Sequence, residues 1–256
     1  MSTTSSTQAT QYGFFFDQSR CIGCYACTVA CKSWNQLAPG PSKWLRIYEW
    51  ETGSFPTPEI NLLFAPCYHC ANPLCVDAAE GAMYKEPKYG AVLVDPSKAT
   101  SPSLRAASNA CPYGAIVFDS DSADATASKC TMCIDRLEQG MLPMCVASCQ
   151  LRALDFGPLA QLQQKYGTNA QLSEMPDPSK TTPSVVFKQK DPRKQIVNLS
   201  ADRVLSLMAT RDPLPALYSA PTDETDLSTI QVGRSSLNMK ASSNADLMDA
   251  TQNDDG

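Results

Sequence analysis

Twelve cysteines against a single histidine, His69, make sulfur the ligand chemistry of this chain. They fall in four blocks: Cys21, Cys24, Cys27 and Cys31; Cys67, Cys70 and Cys75; Cys111 alone; and Cys130, Cys133, Cys145 and Cys149. Thiolates at successive spacings of three can wrap one face of a cubane iron-sulfur cage from a single loop, while the fourth cysteine of such a run serves a second cage. This rule assigns Cys21, Cys24 and Cys27 to one 4Fe-4S cluster, with Gly23 letting the backbone come close. It also predicts that "ACTVACKSW" starts a helix carrying Cys31 to another cluster. Cys130, Cys133 and Cys145 supply the loop ligands of that second cluster, and Cys149 returns to complete the first. Cys67, Cys70 and Cys75 take Cys111, followed by the proline such runs often show, as their fourth ligand.

The vacancies are as informative as the ligands. A fourth cluster needs three thiolates ahead of Cys111 and one shortly after Cys75, yet residues 76 to 110 hold none. Counting back from Cys111 by the spacing of the first block lands on Ala107, Leu104 and Ser101, and four residues after Cys75 stands Ala79. The absent sulfurs form the complete set for one cage, so the expectation is three 4Fe-4S clusters and no stranded thiol. Zinc shares the C-x-x-C pair, but four ligands from two knuckles leave the third evenly spaced cysteine of the first block unexplained. Disulfides belong to oxidising compartments and usually to shorter chains. His69 lies inside the Cys67 to Cys70 loop, where it is a structural histidine or a hydrogen-bond donor to a cluster sulfur or a partner.

The rest of the chain must hold these loops together. Because the first and last blocks exchange cysteines, residues 1–66 and 118–157 are expected to form one domain with 67–117 inserted, and 158–256 to form a C-terminal extension. "GAMYK" at Gly81, "GAIVFD" at Gly114 and "RALDFG" at Arg152 repeat a turn leading into a short strand, which suggests duplicated units. "YGFFFD" and "AVLVDP" read as strands and "KEPKYG" as a hairpin loop. "KWLRIYEW" alternates Trp44, Arg46, Tyr48 and Trp50 with Leu45, Ile47 and Glu49, an aromatic face for the cysteine-rich core or for a partner. Beyond Pro158, "LAQLQQKYG" and "SADRVLSLMATR" have helical patterns and "PSVVFK" a strand pattern.

Of the net charge of −5, the stretch from Asp212 accounts for more than the whole, with 2 basic and 8 acidic residues; the remainder carries 19 basic against 18 acidic. No basic run suggests nucleic acid. The acidic tail has too few apolar residues to fold alone and is expected to be disordered or laid over another subunit. No apolar run reaches the length of a membrane span, and "MSTTSSTQATQYGFFF" lacks an export signal, so the chain is expected neither to anchor nor to export itself. The default location is the cytoplasm, with carriage on a partner's signal left open. There is no glycine-rich phosphate loop and no nucleophile-base pair outside His69, which places any chemistry on a partner.

Block order, ligand crossover and the phrases "CIGCYAC", "CYHCANPLC", "ACPYGA" and "KCTMCIDR" resemble the iron-sulfur electron-transfer subunits of the dimethyl sulfoxide reductase family over about residues 12 to 160. The resemblance implies an α+β, duplicated ferredoxin-like fold and a large molybdenum or tungsten bis-pterin catalytic partner. Most members carry sixteen cysteines and four clusters. The gap between Val76 and Ala110 is similar instead to the three-cluster small subunit of pyrogallol-phloroglucinol transhydroxylase and related catechol dehydroxylase complexes. Cys31-Lys32 and Cys149-Gln150 depart from the usual cysteine-proline and leave the ligands intact. In four-cluster relatives the clusters form a row in which the missing position is usually the third. The resemblance therefore implies a gap before this chain's last cluster, slow transfer across it, and a soluble complex fed by soluble donors or needing no net electron flow. A zinc-stabilised interaction module and a free-standing polyferredoxin are the rival readings.

Overall fold

A strand with a solvent face needs polar residues at every second position, and "YGFFFD" does not have them. The computed structural model, which describes residues 10–40, 42–53, 58–191, 239–240 and 243–245, buries this strand on both sides. It is β1 (Tyr12–Asp17), followed by α1 (Ala26–Trp34), β2 (Arg46–Thr52), β3 (Glu59–Ala65) and α2 (Leu74–Ala78). Next come β4 (Met83–Lys85), β5 (Val92–Val94), α3 (Ser103–Ala110), β6 (Val117–Phe118) and β7 (Ala127–Ser128). The order closes with α4 (Ile134–Leu137), α5 (Met144–Ala147), β8 (Leu154–Pro158), α6 (Leu159–Tyr166) and β9 (Val185–Lys188). The fold is α+β: β8, β1 and β9 form one sheet with β1 in the middle, and β2-β3, β4-β5 and β6-β7 form two-stranded ribbons.

The β8-β1 pairing is antiparallel, with Tyr12 opposite Pro158 and Phe16 opposite Leu154, so it brings the first and last cysteine blocks to the same end of a sheet. Phe14 and Phe16 point into the main core, where Phe14 meets Phe64 and Phe156 at ring-centroid distances of 5.7 and 5.2 Å. Phe15 faces the other way and stacks on Tyr166 of α6 at 3.6 Å, with Leu162 and Val186 beside it. Gly13 is required here, because a side chain would collide with the Ser184 carbonyl that accepts the Phe14 amide.

The recurrent turn-then-strand theme appears as β4, β6 and β8, and "KEPKYG" closes the β4-β5 hairpin, where Glu86 accepts the Lys88 and Tyr89 amides. The aromatic face of β2 turns inward: Arg46, Tyr48 and Trp50 are all buried and Glu49 is exposed. A second apolar cluster gathers α2, α3 and β4 to β7 and runs past residue 117 as far as Ala127.

The C-terminal extension completes the sheet. Strand β9 pairs parallel with β1, Asp17 opposite Lys188. Residues 200–211, read above as a helix, lie outside the described residues. Of the acidic tail, Met239 is buried in this chain's own core and Lys240 Nζ bonds the Asn109 carbonyl at 2.6 Å, so this piece packs on its own subunit, an outcome outside both alternatives raised above. Among the described residues no helix is long and apolar enough to cross a membrane.

Asp17 fastens the extension to the first strand. Burial alone would raise its carboxyl, but the Ser19 hydroxyl, the Lys188 ammonium and the Ser19 amide outweigh that and hold it below the usual carboxylate value. Its side chain is 6% exposed. We expect Asp17→Ala to lower stability by about 1–3 kcal/mol, the cost of leaving such donors unpaired. Melting followed by circular dichroism at neutral pH checks this, and an unchanged midpoint would show the contact to be idle.

Candidate metal centre

One turn is used three times. In three of the four Cys-x-x-Cys loops the third residue is left-handed, Gly23 at φ 66°, His69 at φ 44° and Met132 at φ 60°, whereas between Cys24 and Cys27 it is the second, Tyr25 at φ 56°. The turn aims that residue's amide back at the first sulfur, His69 to Cys67 Sγ and Met132 to Cys130 Sγ at 3.4 Å each, with Gly23 doing the same for Cys21. Holding His69 and Met132 left-handed costs about 1–2 kcal/mol apiece, which at Met132 complete burial of an apolar side chain offsets. A second turn follows the returning cysteines. Gly114 and Arg152, three residues after Cys111 and Cys149, are left-handed, and the next amide reaches the sulfur, Ala153 to Cys149 Sγ at 3.3 Å and Ala115 to Cys111. Cys31, inside α1, has the Asn35 side-chain amide 3.7 Å from its sulfur instead.

All twelve cysteines are free thiols, with Cys24 exposed and Cys31, Cys67, Cys111, Cys130, Cys133 and Cys145 buried. Burial pushes the thiols of Cys27, Cys31 and Cys75 up to about 12, and neighbouring sulfurs add to the rise. Those neighbours define the grouping. Cys21 feels Cys149 and Cys24, and Cys27 feels Cys21 and Cys149. Cys145 feels Cys130, Cys31 and Cys133, whereas Cys70 feels Cys67, Cys111 and Cys75. Cysteines expected to share a set lie near one another, Cys31 beside Cys133 and Cys145, and Cys149 beside Cys21. Among the described residues no three His, Cys, Asp or Glu side chains close on a single ion. Thiolates around one zinc stand about 3.8 Å apart, given bonds of ~2.3 Å. Thiols gathered from several loops and free of disulfides are the donor set that a 4Fe-4S cage takes.

Adjacent sets also lie near one another: Cys31 and Cys145 feel Cys27, and Cys130 feels Cys67. The four vacant positions lie elsewhere: Ala79, Leu104 and Ala107 are wholly buried together, and Ser103, bonded to Ser101, donates to the Ala79 carbonyl at 2.8 Å. Cys75 is the one cysteine packed on this cluster among the described residues. The emptied site adjoins the third set.

Two buried polar residues complete the centre. Lys129, 3% exposed, gives its ammonium to the carbonyls of Val92 and Cys130, and its charge draws down the thiols of Cys75, Cys111 and Cys130 against the larger effect of burial. Burial, then the Lys129 charge, holds the His69 imidazole well below its usual value, and the Val92 amide that donates to Nδ1 likewise favours the neutral ring. Sequence reasoning missed Lys129 and Asn35; each stands beside or one helical turn from a cysteine, but nothing in a sequence tells a buried lysine from a solvated one.

Residues 59–159 match the family model described as a 4Fe-4S dicluster domain, and residues 12–33 match a 4Fe-4S binding domain. The chain is 39% identical over 188 residues to the probable anaerobic dimethyl sulfoxide reductase chain YnfG of Escherichia coli K12, covering 70% of this chain and 89% of that one. One chain of the anaerobic dimethyl sulfoxide reductase of the same organism matches at the same identity and coverage. One subunit of the sulfite dehydrogenase of Allochromatium vinosum is 35% identical over 169 residues, 58% of this chain and 69% of that one. The chain belongs to the iron-sulfur subunits of the dimethyl sulfoxide reductase family. It is an electron-transfer subunit of the molybdopterin oxidoreductase kind and carries 4Fe-4S clusters in ferredoxin-type domains.

As a member of this family the subunit depends on the shape of its ligand loops, and Gly23 is one point where that shape can be probed. A Cβ there would stand 3.3 Å from Leu62 Cδ2, on a residue already at positive φ. We expect Gly23→Ala to cost about 1–2 kcal/mol, with Gly23→Val worse because its side chain is β-branched. Thermal melting of the two variants tests this, and equal midpoints would refute it.

Proposed function

We propose that the chain holds three 4Fe-4S clusters and exchanges electrons with a large molybdenum or tungsten bis-pterin subunit of an aromatic hydroxyl-transferring or dehydroxylating complex. Cys21, Cys24, Cys27 and Cys149 bind the first cluster, Cys31, Cys130, Cys133 and Cys145 the second, and Cys67, Cys70, Cys75 and Cys111 the third. Residues 1–66 with 118–157 form the first ferredoxin-like unit and 67–117 the inserted second, of which one site is lost. The observation that carries the count is the packing of Ala79, Leu104 and Ala107 in one apolar cluster where a fourth set of sulfurs would stand. The clusters supply one-electron transfer when bound. The chain's own part is to bury half of the thiols, to present amide donors to Cys21, Cys67, Cys130, Cys111 and Cys149, and to expose the first set at Cys24.

The row ends at the third set, beside an apolar plug, and this supports a complex whose reaction needs no onward electron path at that end. A sulfoxide-reducing complex is the second reading, favoured by the 39% identity to the dimethyl sulfoxide reductase chains. The two part on substrate. The complex purified with its large subunit is expected to convert a trihydroxybenzene and to leave reduced viologen unoxidised when dimethyl sulfoxide is added. Rapid sulfoxide-dependent oxidation of viologen would decide for the second reading.

Iron and acid-labile sulfide analysis should give about 12 of each per chain, four atoms of each per cluster; about 16 would sink the count. Leu104→Ala removes a wholly buried side chain from the plug and is expected to cost about 2–5 kcal/mol while leaving the iron content unchanged. Loss of four irons from that variant would mean that the site is not a plug.

A further inference from the structure

The chain's one histidine has a donor with nowhere to go. Val92 N–H donates to His69 Nδ1 at 3.0 Å. A donor facing Nδ1 requires a lone pair there, so the ring is neutral and its proton sits on Nε2. That Nε2 is buried and has no hydrogen-bond partner among the described residues. A buried, unpaired N–H costs about 1–3 kcal/mol, and such groups are retained where something absent from the polypeptide accepts them.

The surroundings supply no acceptor. Phe14 lies 6.5 Å from the ring, Lys129 and Lys85 bring only donors, and the His69 carbonyl is taken by Gln11 and Ser184. The Val92 peptide is clamped from both ends, its N–H by His69 and its C=O by Lys129, so the imidazole has a fixed orientation. Its backbone belongs to the loop of the third set, with the His69 amide already on Cys67 Sγ. An anionic cage of sulfide and thiolate is the acceptor-rich object that this loop is shaped to hold.

We propose that His69 Nε2–H donates a hydrogen bond to a sulfur of the cluster bound by Cys67, Cys70, Cys75 and Cys111, and so tunes that cluster's potential. The proposal rests on the cluster reading above. A donor to the cage favours the more negative, reduced form, so it raises the midpoint. His69 is a tuning residue that acts beside the ligands and is not one of them.

The test uses the full chain loaded anaerobically with iron and sulfide, and because it holds a single histidine, labelling is unambiguous. Incorporating histidine labelled with 15N in the ring only keeps the backbone amide silent. Pulsed EPR of the dithionite-reduced chain is expected to show a ring-nitrogen coupling on one cluster, absent with unlabelled histidine. In redox titrations followed by EPR, His69→Leu should move one midpoint to lower potential, and His69→Gln, which keeps an N–H donor of similar reach, should restore part of that shift. A chain lacking iron overturns the cluster reading itself. Loaded chain in which no ring nitrogen couples, or His69→Leu with full iron and three unmoved midpoints, overturns the hydrogen bond alone. The labelled wild-type spectrum decides the matter if the leucine variant does not fold.

Discussion

Helices α1 and α5 pack side by side, and around them each cysteine-rich loop yields a sulfur to the other. Cys31 leaves Cys21, Cys24 and Cys27 along α1 and arrives among Cys130, Cys133 and Cys145; Cys149 leaves by the end of α5 and arrives beside Cys21. Neither set is complete until segments about a hundred residues apart have met, which makes this exchange the constraint that the remaining architecture serves. The β8-β1 pairing fixes the two ends of the exchange, and β9 secures β1 from its other edge.

Local backbone geometry then does at each sulfur what global topology cannot. A left-handed residue at the third position of the loops that open at Cys21, Cys67 and Cys130, and another after Cys111 and Cys149, turn amides toward sulfur. Repetition of the same strained turn with glycine, histidine and methionine shows that its conformation is selected more stringently than its side chain. Where methionine takes the turn it is buried, so its strain is balanced by apolar burial. Cys31, committed to a helix, cannot use such a turn and relies on a neighbouring asparagine.

The emptied region shows what happens when the demand for sulfur is lifted. Leu104, Ala107 and Ala79 close over the space with Met83, Val92 and Ile116, and the helices α2 and α3 pack directly on each other. Apolar packing of this kind tolerates no partial site: a lone thiol left in it would be a buried, unliganded group. The same core places Val92, through its peptide, between His69 and Lys129, so the plug and the neighbouring sulfur set share a wall.

Candidate ligands could be named from cysteine spacing alone, because a cage needs several sulfurs from one short loop and a crossover leaves a numerical trace. The strands β1, β4, β5, β8 and β9 and helices α1 and α6 were legible for a similar reason, since their apolar patterns and turn residues are local. The nearness of Cys67 to Cys130 was not, because folding creates it. Nor could the sequence reveal that β9 joins β1 in parallel, that Met239 enters the core, or that Lys129 is buried with carbonyls for company. Spacing along the chain specifies which atoms one loop can offer. Only tertiary packing decides which loops become neighbours and which polar groups lose their water.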